Sequence, residues 1–194
     1  ALLTVQAYLI GPRVPLREVF PSGLRTLVAL ALALLVVQAM SGAWVSTNYA
    51  VLACTEFPRC QDSWWPTMDF TKGFEIWRPL GFDAAGAHIS FQALTAIHFT
   101  HRLLAMFTLA VLAWLAWRLG RHDTTQRLAR WLGGLATLQL LTGLSNVVLD
   151  WPLVAAVIHT GGAGAMVVVL VRVLCVTYGH NEQARSSVLE RSLA

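Results

Sequence analysis

Charged residues are scarce in this sequence. Asp, Glu, Lys and Arg make up 12% of the 194 residues, about half of the share in soluble proteins, while hydrophobic residues make up 56%. This composition excludes an ordinary soluble domain and a disordered chain. The hydrophobic runs are continuous and lack the alternation with polar residues that is typical of membrane-spanning strands. The sequence therefore points to membrane-spanning helices.

Four apolar stretches are long enough to cross a bilayer, which takes about 20 residues of helix. They cover the ranges Leu27–Val45, Ala93–Trp117, Leu132–Leu149 and Leu153–Val176. The third stretch is the shortest and reaches full length only with its flanking residues. The sequence thus predicts an all-α membrane protein, a bundle of four transmembrane helices.

These boundaries divide the chain into three parts. We expect residues 1–26 to form an N-terminal cytoplasmic segment, residues 27–177 a four-helix bundle that includes a long loop at 47–90, and residues 178–194 a cytoplasmic tail. The segment Ala1–Ile10 lacks the basic front of a signal peptide. It is similar to the end of a preceding span, which favours a piece of a longer protein over a chain whose initiator Met was trimmed.

The net charge of +4 comes from arginines on one side of the predicted bundle. They precede span 1 and separate spans 2 and 3: Arg13, Arg17, Arg25, Arg118, Arg121, Arg127 and Arg130. The long loop after span 1 is instead rich in acidic residues. Since arginine-rich segments stay in the cytoplasm, both termini are expected inside and the long loop outside. The excess of basic residues therefore indicates the orientation of the chain in the membrane, and no nucleic-acid partner is expected.

Only three cysteines are present, and two of them lie in the long loop. Cys54 and Cys60 have a C-x5-C spacing, which does not fit a thioredoxin-like pair and offers no further partners for a zinc site. On the oxidising side of a membrane a disulfide is expected, either as a structural staple or as a redox-active pair. Cys175, near the inner end of span 4, is expected to be a free, buried thiol.

The long loop is too long and too aromatic for a simple connection. It contains Trp64, Trp65 and Trp77, and tryptophan favours the membrane interface. We interpret the loop as a lid over the outer end of the bundle. An interfacial aromatic belt is the alternative explanation for the tryptophans.

Two histidines, His101 and His159, lie within separate apolar spans, a few residues inside the same membrane face. Ionisable side chains in a membrane-spanning helix are costly and by default mark a functional site. Spans 2 and 4 both run inward, so the two imidazoles come to a similar depth, as the axial ligands of a buried haem iron require. The alternative is two unrelated polar residues packed between helices.

Neighbours of these histidines extend the haem hypothesis. His98 lies three residues before His101 on the same helix face. Arg102 is expected barely inside the membrane, where it either meets an anionic group such as a haem propionate or snorkels to lipid headgroups. The small residues at 160–165 indicate close helix packing. A more specific interpretation is that they leave room beside the helix for a flat macrocycle.

Spans 1 and 3 carry a faint internal repeat. Gln38-x-x-x-Gly42 and Gln139-x-x-x-Gly143 both lie toward the outer end of their spans. One histidine-bearing span follows each copy. The histidines outside these spans lie in the long loop or on the basic inner side, and they carry less weight.

With these residues the sequence resembles the C-terminal half of the haem A synthase family. The resemblance runs in order over roughly residues 27–177, which makes it specific, whereas a His-Arg pair alone would be weak. The matching residues are those of Gly42–Cys60, Trp64–Phe70, Ala96–Arg102, Asn146–Leu149 and His159.

This resemblance implies a function. Members of the family have two pseudosymmetric four-helix halves, one for the substrate haem o and one for a haem b cofactor. The two histidines that hold haem b match His101 and His159. The family oxidises a methyl group of haem o to a formyl group, which gives haem A. The substrate half has Glu in an E-x-x-H-R motif where this chain has His98, so the chain matches the cofactor half and is not expected to be catalytically complete alone.

The resemblance also implies a location and partners. We expect a multi-pass protein of the bacterial cytoplasmic (inner) membrane, in contact with lipid and with a second four-helix half or a homo-oligomeric partner. Haem O synthase and an oxidase assembly factor are further candidate partners. Iron with two histidine ligands suits electron transfer. The competing functions are a stand-alone four-helix b-type cytochrome that carries electrons, and a structural assembly factor without a cofactor.

Overall fold

Helices make up most of the computed structural model, which describes the backbone of residues 20–193 and the side chains of residues 20–178 except Ser22. The α-helices in this part of the chain are α1 (Ser22–Thr47), α2 (Phe70–Gly73), α3 (Phe91–Leu119), α4 (Gln126–Val148) and α5 (Leu153–Leu193). A 3-10 turn at Ala50–Ala53 follows α1. Two isolated β-bridges occur in these residues, and no strand does. The expectation for Ala1–Ile10 lies outside the described residues.

Four of these helices are long and apolar enough to cross a membrane: α1, α3, α4 and the part of α5 that ends at Tyr178. The prediction of an all-α protein with four membrane-spanning helices is confirmed. The third span has the lowest mean hydropathy, 1.2 against 1.5 to 2.1 for the others. As expected, it gains its length from flanking residues, since α4 begins at Gln126. Helix α5 continues past the predicted end at Val176, because no proline interrupts the residues that follow.

The chain divides into two compact units. The first, called here the histidine unit, consists of residues 36–109 and 138–162. The second, the basic unit, consists of residues 1–35, 110–137 and 163–194. Leucines fill the core of the described part of the basic unit: Leu24, Leu112, Leu115, Leu119, Leu132 and Leu170. In a bilayer such side chains hold the segments together through van der Waals packing, because lipid tails are as apolar as leucine.

Cys175 of the basic unit is a free thiol, as expected, but it is half-buried rather than buried. The fully buried face of α5 at this level is formed by Val173 and Thr177. Position 175 lies two residues from each, and in an α-helix that spacing turns the side chain toward the opposite face.

In the histidine unit, the disulfide lies in a buried cluster. Cys54 and Cys60 are joined with an S–S distance of 2.02 Å and a Cα–Cα distance of 4.9 Å. Both pack against Phe99 of α3, and Met68 covers the cluster. The disulfide therefore contacts the helix that carries His101 two residues further on.

Hydrogen bonds attach the long loop to α1 and α3. Trp44 Nε1 donates to the carbonyl oxygen of Gly73 at 3.0 Å, and Gln61 Nε2 donates to Thr95 Oγ1 at 2.8 Å. A Cβ atom at Gly73 would come within 2.9 Å of the carbonyl oxygen of Ala93, so glycine is needed at this close approach. The loop is thus docked on the unit, while the indoles expected at its surface are exposed: Trp64, Trp65 and Trp77.

We expect Cys54 and Cys60 to resist alkylation in freshly isolated membranes without reductant, because a disulfide has no free thiol. Cys175 should react, since it is free and half-buried. Mass spectrometry of the alkylated peptides measures this, and the same sample treated with reductant is the control. Alkylation of Cys54 and Cys60 without reductant would rule out the structural staple.

Candidate functional site

The imidazole of His101, on α3, is held by side chains of α1. Gln38 Nε2 lies 3.1 Å from its Nδ1 and donates to the carbonyl oxygen of His101 at 3.4 Å. Ser41 Oγ lies 3.2 Å from the same Nδ1. A Cβ atom at Gly42 would come 3.2 Å from ring atom Cε1. The missing side chain at Gly42 therefore lets the ring lie against the backbone of α1.

His159, on α5, has an equivalent environment built by α4. Thr142 Oγ1 lies 2.9 Å from its Nδ1. Gln139 Nε2 donates to the carbonyl oxygen of His159 at 2.7 Å. A Cβ atom at Gly143 would come 3.1 Å from Cε1 of the ring. The ring is thus fixed by three neighbouring positions of one helix, as the ring of His101 is.

The two histidines are supported by the same motif, Gln-x-x-Ser/Thr-Gly, on the preceding long helix. Residues spaced three and four apart share one face of a helix, so the amide, the hydroxyl and the glycine all face the imidazole. The Gln and Gly positions formed the repeat seen in the sequence. The hydroxyls of Ser41 and Thr142 were missed there, although a hydroxyl residue stands just before the glycine in both copies.

The hydrogen bonds of Thr142 indicate which ring nitrogen of His159 carries the proton. Its single hydroxyl proton has an acceptor in the carbonyl oxygen of Leu138, at 2.7 Å. The oxygen is then left to accept a hydrogen bond from Nδ1–H of His159 at 2.9 Å. In a neutral imidazole with its proton on Nδ1, the lone pair is on Nε2, the nitrogen that can bind a metal.

These features fit a haem iron between His101 and His159. Each ring has a hydroxyl at Nδ1, the arrangement that orients a metal-binding imidazole from outside the metal's own coordination sphere. No cluster of three or more His, Cys, Asp or Glu side chains suited to a bare ion occurs in the described part of the chain. Two histidines alone suffice for an iron that the porphyrin already coordinates.

His98 lies in different surroundings from His101. It is 4% exposed, the backbone of Ala50 lies beside its ring, and its Nδ1 has no hydrogen-bond partner among the described residues. The structure therefore places His98 against the start of the long loop, away from the amide and hydroxyl that hold His101. A buried imidazole nitrogen without a partner is costly and singles out this position.

Arg102 binds the backbone of the long loop. Its guanidinium donates to the carbonyl oxygens of Cys54 at 2.6 Å, Glu56 at 2.8 Å and Arg59 at 3.2 Å. These are carbonyls of the segment that the disulfide closes. The contact of Arg102 with a haem propionate stays a prediction, and its Nε is buried with no acceptor among the described residues.

Comparison with known proteins identifies the family of this chain. A family model described as cytochrome oxidase assembly protein (COX15-CtaA) matches residues 1–171. The heme A synthase of Shewanella oneidensis is 36% identical over 157 residues, which are 77% of this chain and 46% of that protein. No solved structure matches. The chain therefore belongs to the haem A synthase family of cytochrome oxidase assembly proteins.

Family membership has two consequences for the chain. Together with the four apolar helices, it identifies a multi-pass protein of the bacterial inner membrane. The chain also spans about half the length of the curated relative that it matches.

We expect Thr142→Val to lower the affinity for haem, because valine keeps the shape of threonine and removes the acceptor of Nδ1–H. Loss of such a partner costs about 10- to 100-fold in metal affinity. Soret absorbance during a haem titration measures the affinity, and Thr142→Ser should restore it.

Thr137→Val is the matched control on the same helix, since the Thr137 hydroxyl is exposed and bonds only to Gly133 of its own helix. Equal affinities for Thr142→Val and Thr137→Val would contradict the role given to the Thr142 hydroxyl.

Proposed function

We propose that this chain is the haem b-binding half of a haem A synthase, an oxidoreductase that converts the methyl group of haem o to the formyl group of haem A. His101 and His159 would hold the iron of haem b through their imidazoles. The observation that carries the proposal is the repeated support of the two imidazoles. A hydroxyl lies within hydrogen-bond distance of Nδ1 in both rings, and in His159 this bond leaves Nε2 for iron. Family membership supports the reaction class.

The residues around the haem site fix the two ligands rather than take part in bond making. When bound, haem with two histidine ligands supplies electron transfer, because its iron has no free position for oxygen. Ser41 and Thr142 hold the Nδ1 atoms, and Gln38 and Gln139 tie the histidine backbones to the neighbouring helices. Fixed ligands reduce the rearrangement that accompanies a change in iron charge.

The substrate haem o belongs to a second four-helix half. In this chain His98 stands where the substrate half of the family has Glu, and a neutral imidazole does not supply the negative charge of a carboxylate. The second half is part of a longer protein or a separate chain, because a second copy of this chain would again carry His98 in place of the Glu. Haem O synthase and an oxidase assembly factor are the proposed partners that deliver haem o and receive haem A.

We expect His101→Ala and His159→Ala each to abolish the low-spin haem b spectrum, because each removes one axial ligand. His98→Ala should retain most of it, since His98 faces the long loop. Reduced-minus-oxidised spectra with pyridine haemochrome analysis measure both the amount and the type of haem. Loss of the spectrum in His98→Ala but not in His101→Ala would refute the ligand assignment.

The 194-residue chain alone should leave haem o unconverted while it keeps its b-type spectrum. The physical reason is that it has no Glu-x-x-His-Arg segment to handle protons at the reacting methyl group. The measurement is pigment analysis of membranes that contain haem o and no other haem A synthase. Haem A or its hydroxylated intermediate in those membranes would show that the chain is a complete enzyme. If the chain is instead a stand-alone electron carrier, we expect no conversion even when a substrate half is supplied.

A further inference from the structure

Arg78 of the long loop holds a buried pair of charged donors without an acceptor. Its Nη1 donates to the carbonyl oxygen of Phe82 at 2.8 Å and to that of Pro79 at 3.3 Å. Its Nε and Nη2 are shielded from solvent and have no hydrogen-bond partner among the described residues. No carboxylate in the described part of the chain forms an ion pair with it. One edge of the guanidinium is thus fixed, and the other is open to an acceptor.

The open edge has the geometry of a carboxylate site. The N–H bonds of Nε and Nη2 are parallel, so together they bind the two oxygens of one carboxylate. Leaving charged donors buried and unpaired is costly. The structure therefore favours a ligand that brings an anion to this edge.

The indole of Trp44 locates this edge relative to the histidine site. The guanidinium carbon of Arg78 lies 5.6 Å from the centre of the Trp44 ring, within cation–π distance. Trp44 follows Ser41 by three residues on α1, so it lies on the same face, about 4.5 Å along the helix axis. Arg78 accordingly packs on Trp44, which lies one helical turn from Ser41, the residue that contacts the ring of His101.

We propose that Arg78 binds a carboxylate of haem, one of its propionates, through Nε and Nη2. This inference rests on the proposed haem site and adds the residue that recognises the anionic edge of the cofactor. Arg102 was the sequence-based candidate for this role, but two of its nitrogens bind loop carbonyls and only Nε is unpartnered. Arg78 offers the pair of donors that a carboxylate needs.

A lipid phosphate is another anion that could accept two hydrogen bonds from the guanidinium of Arg78. Lipid approaches the protein from outside, whereas Nε and Nη2 of Arg78 are buried under protein atoms. An anion that is part of a ligand bound within the histidine unit fits this burial better, so the proposal names the propionate.

The test compares two ligands that differ only in their carboxylates, haem b and its dimethyl ester. The full chain is produced in haem-deficient cells, purified in detergent and titrated with each ligand by Soret absorbance. Arg78→Gln should bind haem b about tenfold or more weakly than the unsubstituted protein, because a charge-assisted pair of hydrogen bonds is lost. The two proteins should bind the ester equally well.

Two further variants keep the result interpretable. Arg78→Lys keeps the charge but not the parallel donors, so its affinity for haem b should be intermediate. Lys72→Gln removes one exposed charge from the same loop and should match the unsubstituted protein with both ligands.

The outcomes separate the two proposals. Equal binding of haem b by Arg78→Gln and the unsubstituted protein would overturn the propionate assignment and leave the proposed function intact. An equal loss for haem b and the ester would also overturn it, because the effect would then be structural or due to lipid. If the unsubstituted protein binds neither ligand, the proposed function fails and this inference fails with it.

Discussion

The hydrogen bond between a helix hydroxyl and Nδ1 of a histidine is the interaction on which the histidine unit depends. An imidazole inside an apolar helix has two polar nitrogens, and each must find a partner or carry a free-energy cost. Ser41 and Thr142 each satisfy one nitrogen. Because Nε2 of His159 then has no hydrogen-bond partner among the described residues, the same bond that makes this histidine tolerable in the membrane suits the haem-binding role proposed for it.

This hydrogen bond constrains how closely two helices approach. In this unit each hydroxyl reaches an imidazole on the neighbouring helix because the ring lies against the backbone, next to a glycine. A Cβ at Gly42 or Gly143 would come within 3.2 Å of the ring, so a larger residue would push the ring away by a few tenths of an ångström. Gly162 likewise makes room for the amide of Gln139, which occupies the space where a Cβ atom of residue 162 would lie. Small residues thus serve close packing around polar groups, as is common in membrane helices.

Hydropathy predicted the helices well because four uninterrupted apolar runs leave few alternatives in a membrane. The histidines at 101 and 159 stood out for the same reason, as polar residues within such runs. Ser41 and Thr142 did not, because membrane helices tolerate hydroxyl side chains that bond to their own backbone. Their role depends on which helix lies opposite, and that pairing is a tertiary property.

Arg102 and Arg78 also have roles that depend on tertiary contacts and that the sequence alone does not predict. Sequence position placed Arg102 beside His101 and made it the natural anion ligand, but the carbonyls that it binds come from residues 43 to 48 positions earlier. Arg78 belongs to a loop with several charged residues, and it is its contacts with Trp44 and Phe82 that distinguish it. Whether a cation is available to a ligand depends on which of its donors the backbone already uses. Contacts between residues far apart in the sequence decide which donors are used, and no local sequence pattern predicts these contacts.

The repeat gives the site an approximate symmetry with one clear departure. Gln139 caps the carbonyl of His159 at 2.7 Å, whereas Gln38 lies across the ring of His101 and leaves its Oε1 buried without a partner in the described residues. The helix pair α1–α3 and the helix pair α4–α5 therefore hold similar imidazoles, but the glutamine beside each one forms different hydrogen bonds. For the proposed haem, the repeated helix pair would supply the two ligands, and the unequal glutamines would give its two faces different surroundings. Such differences outside the coordination sphere are what tune the electronic properties of a bound iron.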